Sequence, residues 1–352
     1  MKSLTALATL VGLIALTIGL HADTHRYVPS VFYGTFSSTH PPALRIKSGD
    51  VVTTATLDDE GGGADGKSVA QGSNPLTGPF YVEGAEPGDL LVVTIVKLEP
   101  NRSAGASTSL VAAGAIASGG LAGKPDQKRF LWTIDKSAGV VRLDLQRALP
   151  NTDWRTRFTS PVFELPLRPT LGSIGVAPAG DESPATTSGP FGGNMVSTAI
   201  AAGAKVMLPV QQPGALLYLG HGLARQGDGD ITGSGVETSL DIEFSVALVK
   251  KKAWPHSSVV RPSTVIGEFA QDWPRIETDE YVVTVGSATS LNGALQHATL
   301  ELHHWLDDDF GLSEKTVSLF LGQAIEYEIA NVAGPSFTVV AKVRKAYLPK
   351  AR

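Results

Sequence analysis

Leu240-Asp241-Ile242-Glu243-Phe244-Ser245-Val246-Ala247-Leu248 alternates large apolar side chains with polar or small ones. A period of two is the signature of a strand with one dry and one wet face. The same reading extends outward. Val51 to Leu57 opens with a β-branched run after the turn Lys47-Ser48-Gly49-Asp50, and Leu90 to Val96 is a buried strand fed by the turn Pro87-Gly88-Asp89. Trp132–Asp135 and Val140–Leu143 bracket Lys136-Ser137-Ala138-Gly139 with hairpin spacing, and Tyr281–Val285 is a further short strand. The many turns this requires agree with 38 Gly and 22 Pro among 352 residues. Residues 58–74, acidic and glycine-rich, read as a loop, and residues 103–125, mostly Ala, Gly and Ser, as a surface excursion.

The period changes late in the chain. Ser290 predicts a helix N-cap, followed by a stripe of Leu291, Ala294, Leu295, Ala298, Leu302, Trp305 and Leu306, with Gly311 as the stop. Ser313 predicts a second cap, with Val317, Phe320, Leu321 and Ala324 facing inward. Residues 336–348 close as a strand. The expected fold class is therefore mainly β, with a C-terminal helical pair.

Charge and composition narrow the function. A net charge of −5 with no Lys/Arg run argues against nucleic acid as a partner. The absence of cysteine excludes thiol catalysis, thiolate metal sites and disulfides, leaving His, Asp, Glu and backbone oxygen as metal ligands. At the N-terminus, Lys2, the apolar run Leu4–Leu20 and His21-Ala22 before Asp23 read as a secretory signal peptide cut after Ala22, with an uncleaved N-terminal anchor as the alternative. The expectation is an exported protein, periplasmic or secreted, with no membrane association after cleavage.

Four segments together resemble the acetamidase/formamidase family. They are Asn74-Pro75-Leu76-Thr77-Gly78-Pro79-Phe80 running to Pro87-Gly88-Asp89; Gly172-Ser173-Ile174-Gly175-Val176-Ala177-Pro178; Phe191-Gly192-Gly193-Asn194-Met195; and Pro213-Gly214-Ala215-Leu216-Leu217-Tyr218-Leu219-Gly220, continuing to Gln226-Gly227-Asp228-Gly229-Asp230 and Glu237-Thr238-Ser239. The similarity runs from about residue 30 to 348, giving residues 1–22 as signal peptide and 23–352 as one family domain. The resemblance implies β-sandwich or barrel-like units with α/β additions, and hydrolysis of formamide- or acetamide-like linear amides to ammonia and acid. It also implies a divalent metal, zinc first, and a homo-oligomer. Departures stand at four places. His221 and Leu223 replace the Asp and His of the pattern Gly-Asp-x-His-Ala, Val196 replaces an Asp, and Tyr33 stands where relatives often carry His.

Amide hydrolysis without cysteine needs metal-bound water, carboxylate-activated water or an activated hydroxyl, and no Gly-x-Ser-x-Gly elbow is present. His221, Asp228 and Glu83 are the catalytic candidates. Asp58, His221 and Asp228 are the candidate metal ligands, with Asp59 beside Asp58 at the loop mouth. Asn74, Thr77 and Asn194 are candidates for contacting the amide, and Glu237 for orienting a ligand from behind. His297, His303 and His304 read as a solvated helix face. Trp154, Trp254 and Trp273 read as packing residues. The alternative function is a catalytically silent relative that binds a small polar ligand.

Overall fold

The structure, a computed structural model, describes residues 22–118, 120, 128–151, 159–251 and 273–349. The signal peptide proposed for residues 1–22 lies outside them but for Ala22, as do Trp154 and Trp254.

Leu240–Val249 lies inside a nine-stranded sheet, between Val51–Ala55 and Leu90–Pro100. The sheet continues from Leu90–Pro100 through Lys205–Pro209, Arg275–Glu277, Tyr281–Ala288 and Phe337–Arg344 to Glu326–Asn331, and its other edge is Thr24–Arg26. All of these neighbours are antiparallel except Thr24–Arg26 with Val51–Ala55. The register sets Phe244 opposite Val52 and Val246 opposite Val93, so the alternating apolar sets share one face. That face packs on a six-stranded sheet. Ile46, Phe80, Val82, Ile174, Leu217 and Leu219 from it join Val52, Leu91, Val93, Ile95, Val206, Ile242 and Phe244 in one core. Two faces packed on a shared core make this a sandwich.

The helical pair covers the far end of the large sheet. Leu291–Phe310 starts at Ser290, whose side chain accepts the Gly293 N–H, and stops at Gly311 with φ 60°. Glu314–Ala324 starts at Ser313. Ala298, Leu302, Trp305 and Leu306 pack with Val317 and Leu321 against Val282, Ala341 and Val343. Leu295, expected on this stripe, is instead exposed, because the sheet covers a narrower arc than the sequence offers.

A seven-stranded sheet forms the third layer. It contains the expected hairpin, here Phe130–Asp135 with Val140–Asp144, and also Ala104–Ser107. The latter corrects the reading of residues 103–125 as a surface excursion throughout. Gly105 must lack a side chain, since a Cβ there would lie 2.9 Å from the Glu237 carbonyl oxygen, so the small residues mark close strand packing rather than a loop. His297, expected in solvent, stacks on Trp273 with ring centroids 4.4 Å apart and bonds the Ser287 carbonyl.

Candidate active site

A cavity of about 560 Å³ opens where loops of all three layers meet. Its polar wall begins where Val51–Ala55 runs out into the acidic loop. Asp58 accepts the N–H groups of Glu60 and Gly62 on Oδ1, at 3.0 and 2.6 Å, and the Arg102 guanidinium on Oδ2 at 2.5 Å. Gly62 has no room for a side chain, because a Cβ would lie 2.5 Å from the Asp58 carboxylate. Fixing the loop this way turns the next residue, Asp59, into the cavity, where Arg129 grips both its oxygens at 2.9 Å and also reaches Glu60 at 2.9 Å. The bidentate clamp uses the planar fork of the guanidinium, and among the described residues no hydrogen bond engages its Nε hydrogen or its second Nη2 hydrogen.

The opposite side is built from the turn Asp228–Asp230. Asp230 adopts a left-handed backbone, φ 45°, which is uncommon for a residue other than glycine. It lines the cavity, and its Oδ1 is buried without a hydrogen-bond partner among the described residues. Asn74, also left-handed at φ 56°, lines the same space. Strained backbone at two cavity residues marks positions that the surrounding structure holds in place.

Behind this wall lie two more titratable groups. His221 connects the strands Leu217–Leu219 and Gly222–Arg225, is 4% exposed, and presses on Gly172, where a Cβ would lie 2.2 Å from Nε2. Glu237 sits in the next strand, Val236–Thr238, with Oε2 3.9 Å from His221 Nε2 and Oε1 accepting the Gly235 N–H. Among the described residues, His221 Nδ1 and Glu237 Oε2 have no hydrogen-bond partner.

Electrostatics separates these groups. Burial, and then the charge of Asp59, pushes the Asp230 carboxyl up to about 7. Burial, with Asp59 and Asp230, holds Glu237 protonated well above the usual range. Burial keeps His221 neutral against the pull of Asp59 and Asp58. Burial thus biases both His221 and Glu237 toward their neutral forms. Burial opposes the Arg129 charge, but Asp59 and Glu60 raise its proton affinity above the ordinary value.

The sequence candidates scatter. Asn74 and Asn194 line the cavity, with Asn194 held by the Ser173 hydroxyl and the Thr186 carbonyl. Thr77 is fully buried and donates to the Ala55 carbonyl, inside the sandwich. Glu83 is exposed in the turn after Thr77–Val82 and does not line the cavity. Asp228 is exposed and borders a separate small crevice with Val196 and Gln226. Asp58, His221 and Asp228 therefore do not assemble as metal ligands, since Asp58 is engaged by Arg102 and Asp228 faces elsewhere. Among the described residues, one trio does offer three ligand atoms within 4.8 Å of one another and could hold a metal ion: Asp23, His25 and Asp50, none of which lines the cavity. The departures are packed into the frame. Leu223 is buried between strands opposite Thr170 and Glu237, and Val196 is buried at φ 52°.

Sequence reasoning missed Arg129 altogether and gave Asp230 no role. The signal for Asp230 was its glycine-flanked setting, Gly227-Asp228-Gly229-Asp230, which marked the turn but not which carboxylate turned inward. Arg129 follows a segment without periodicity, and nothing in its sequence neighbours links it to residue 59.

Solved structures similar to this chain share the architecture. An acetamidase from Yersinia enterocolitica is 27% identical with a TM-score of 0.75, covering 94% of this chain and 95% of that one. A predicted acetamidase/formamidase from Thermoanaerobacter tengcongensis is 27% identical with a TM-score of 0.73, covering 93% and 97%. An acetamidase from Bacillus halodurans is 26% identical with a TM-score of 0.70, covering 92% and 98%. No curated protein matches significantly. The acetamidase/formamidase family model matches residues 35–181 and 176–345, nearly the whole described chain. With that match added to the shared fold, this chain belongs to the acetamidase/formamidase family, hydrolases of amide C–N bonds.

Proposed function

We propose that the protein is an exported hydrolase of small linear amides, formamide- or acetamide-like, in which a carboxylate in the polar cavity activates water. The observation that carries this is Asp230, a cavity-lining carboxyl with a buried, unpartnered oxygen and a proton affinity near neutrality. A general base works best when its pKa lies near the working pH.

Ionised Asp230 takes a proton from water as the water oxygen bonds to the amide carbon. The carbonyl electrons move onto oxygen, where the free N–H groups of Arg129 stabilise the developing charge. Protonated Asp230 then gives its proton to the amide nitrogen, the C–N bond breaks, and ammonia leaves. The acid that remains ionises and is repelled by Asp59 and Glu60, which favours its release. Asp59 holds Arg129 in place. Glu237 and His221, both biased by burial toward their neutral forms, fill the space behind. The side chains expected to hold zinc do not converge, so no step is routed through a metal.

The test is ammonia release from formamide, acetamide and longer amides by the purified chain beginning at Asp23. Turnover that survives exhaustive chelation is expected. Turnover abolished by chelation and restored by zinc would return the metal to the mechanism. Tight binding of amides with no turnover would favour the silent relative. Export is tested by the location and first residue of the chain in cells that express the full sequence.

A further inference from the structure

Among the described residues, Asp50 is a buried carboxylate without a permanently charged partner. It is 2% exposed at the turn that leads into Val51–Ala55. Its Oδ2 accepts the Lys47 N–H at 2.8 Å and meets His25 Nε2 at 2.9 Å, and its Oδ1 accepts the Asp23 N–H at 2.9 Å. No Lys or Arg side chain pairs with it among the described residues. A carboxylate withdrawn from water is costly unless a charge of opposite sign compensates it. Asp23 is also where the leader reading places the first residue of the processed chain, and Asp23 leads directly into Thr24–Arg26, the parallel edge strand on Val51–Ala55.

These two facts meet at one atom. Water added across the Ala22–Asp23 peptide bond leaves a carboxylate on Ala22 and an ammonium on Asp23. The nitrogen that now donates to Asp50 as a neutral amide would then carry a full positive charge at the same place. We propose that cleavage after Ala22 creates an ion pair between the α-ammonium of the exposed Asp23 and the buried Asp50 carboxylate, and that this pair locks the edge strand Thr24–Arg26 onto the large sheet. The inference rests on the leader reading given above and not on the amidase reading. It makes processing a step that completes the fold as well as one that releases the chain.

The experiment compares chains freed from a fusion partner to begin at Asp23 or at Ala22. The Asp23-first chain is expected to melt about 2–4 °C higher, and this gap should vanish when both carry Asp50→Asn. Equal melting points in the wild-type pair, or an undiminished gap in the Asp50→Asn pair, would overturn the proposal. Should Asp50→Asn fail to fold, an α-acetylated Asp23-first chain keeps the N–H but not the charge. It should melt with the Ala22-first chain, and melting with the free-amine chain would refute the ion pair. The leader reading is checked separately by the mass of the exported chain, which should begin at Asp23; any other first residue removes the premise.

Discussion

The sandwich and the cavity obey different rules. In the sandwich, Phe244 is held by neighbours two residues apart along the strand and by register partners such as Val52, and its environment repeats along the sheet. In the cavity, Asp59, Arg129 and Asp230 come from three separate loops, and each is placed by a local device: the Asp58 clamp, the Asp59 grip and a left-handed turn. Periodic burial can therefore lose a side chain and weaken the whole frame evenly. A loop-built site fails at a single group while the frame stands.

Substitutions that separate the two regions test this contrast. The largest expected effect is Asp230→Asn, which should lower kcat by about 10²–10⁴-fold, the usual range for a general base. The sign on stability is opposite. Because the folded carboxyl is raised to about 7 from a lower unfolded value, wild type should lose stability as pH rises between about 4 and about 7. The Asn variant should lack that part of the decline in a denaturant titration series. Arg129→Met should lower kcat by about 10²–10³-fold through loss of oxyanion stabilisation, measured at saturating acetamide.

Phe244→Ala should cost about 3–5 kcal/mol of stability by leaving a cavity in the core. It should leave kcat within about twofold of wild type below the melting range; a large drop in kcat would show that frame and site are not separable. Asp59→Asn should move the acid limb of the pH–rate profile to lower pH, since the Asp59 charge is one cause of the raised Asp230 value. Glu83→Gln and Asp228→Asn should change neither rate nor stability measurably, as both residues are exposed and neither lines the cavity.

The same contrast explains what could be read from the amino acids. Strands such as Leu240–Val249 and the capped helices after Ser290 and Ser313 were legible because their signals are periodic and local. Family membership was legible from four short glycine- and proline-marked segments, which occupy close-packed turns: Gly172 under His221, and Gly192 against Ile174. The site was only half legible. Asn74 and Asn194, singled out from their motifs, line the cavity, as does Asp59, named beside Asp58 at the loop mouth, whereas Asp58 and Asp228 each lie next to or near a carboxylate that faces it. In a loop no period says which of two adjacent acids turns inward. That choice was made here by Arg102 and Arg129, whose partners lie 44 and 70 residues away. His221 was singled out as a departure from the family pattern, and it is buried beside Glu237 and felt electrostatically by Asp58 and Asp59, but it does not line the cavity.

The most direct measurement is the pH dependence of kcat/KM for acetamide in wild type and in Asp230→Asn, with ammonia release as the readout. Wild type should gain activity with rising pH through a single ionisation near about 7, and the variant should show a low, flat profile over the same range. A variant that keeps both the wild-type rate and the same inflection would show that Asp230 is not the base.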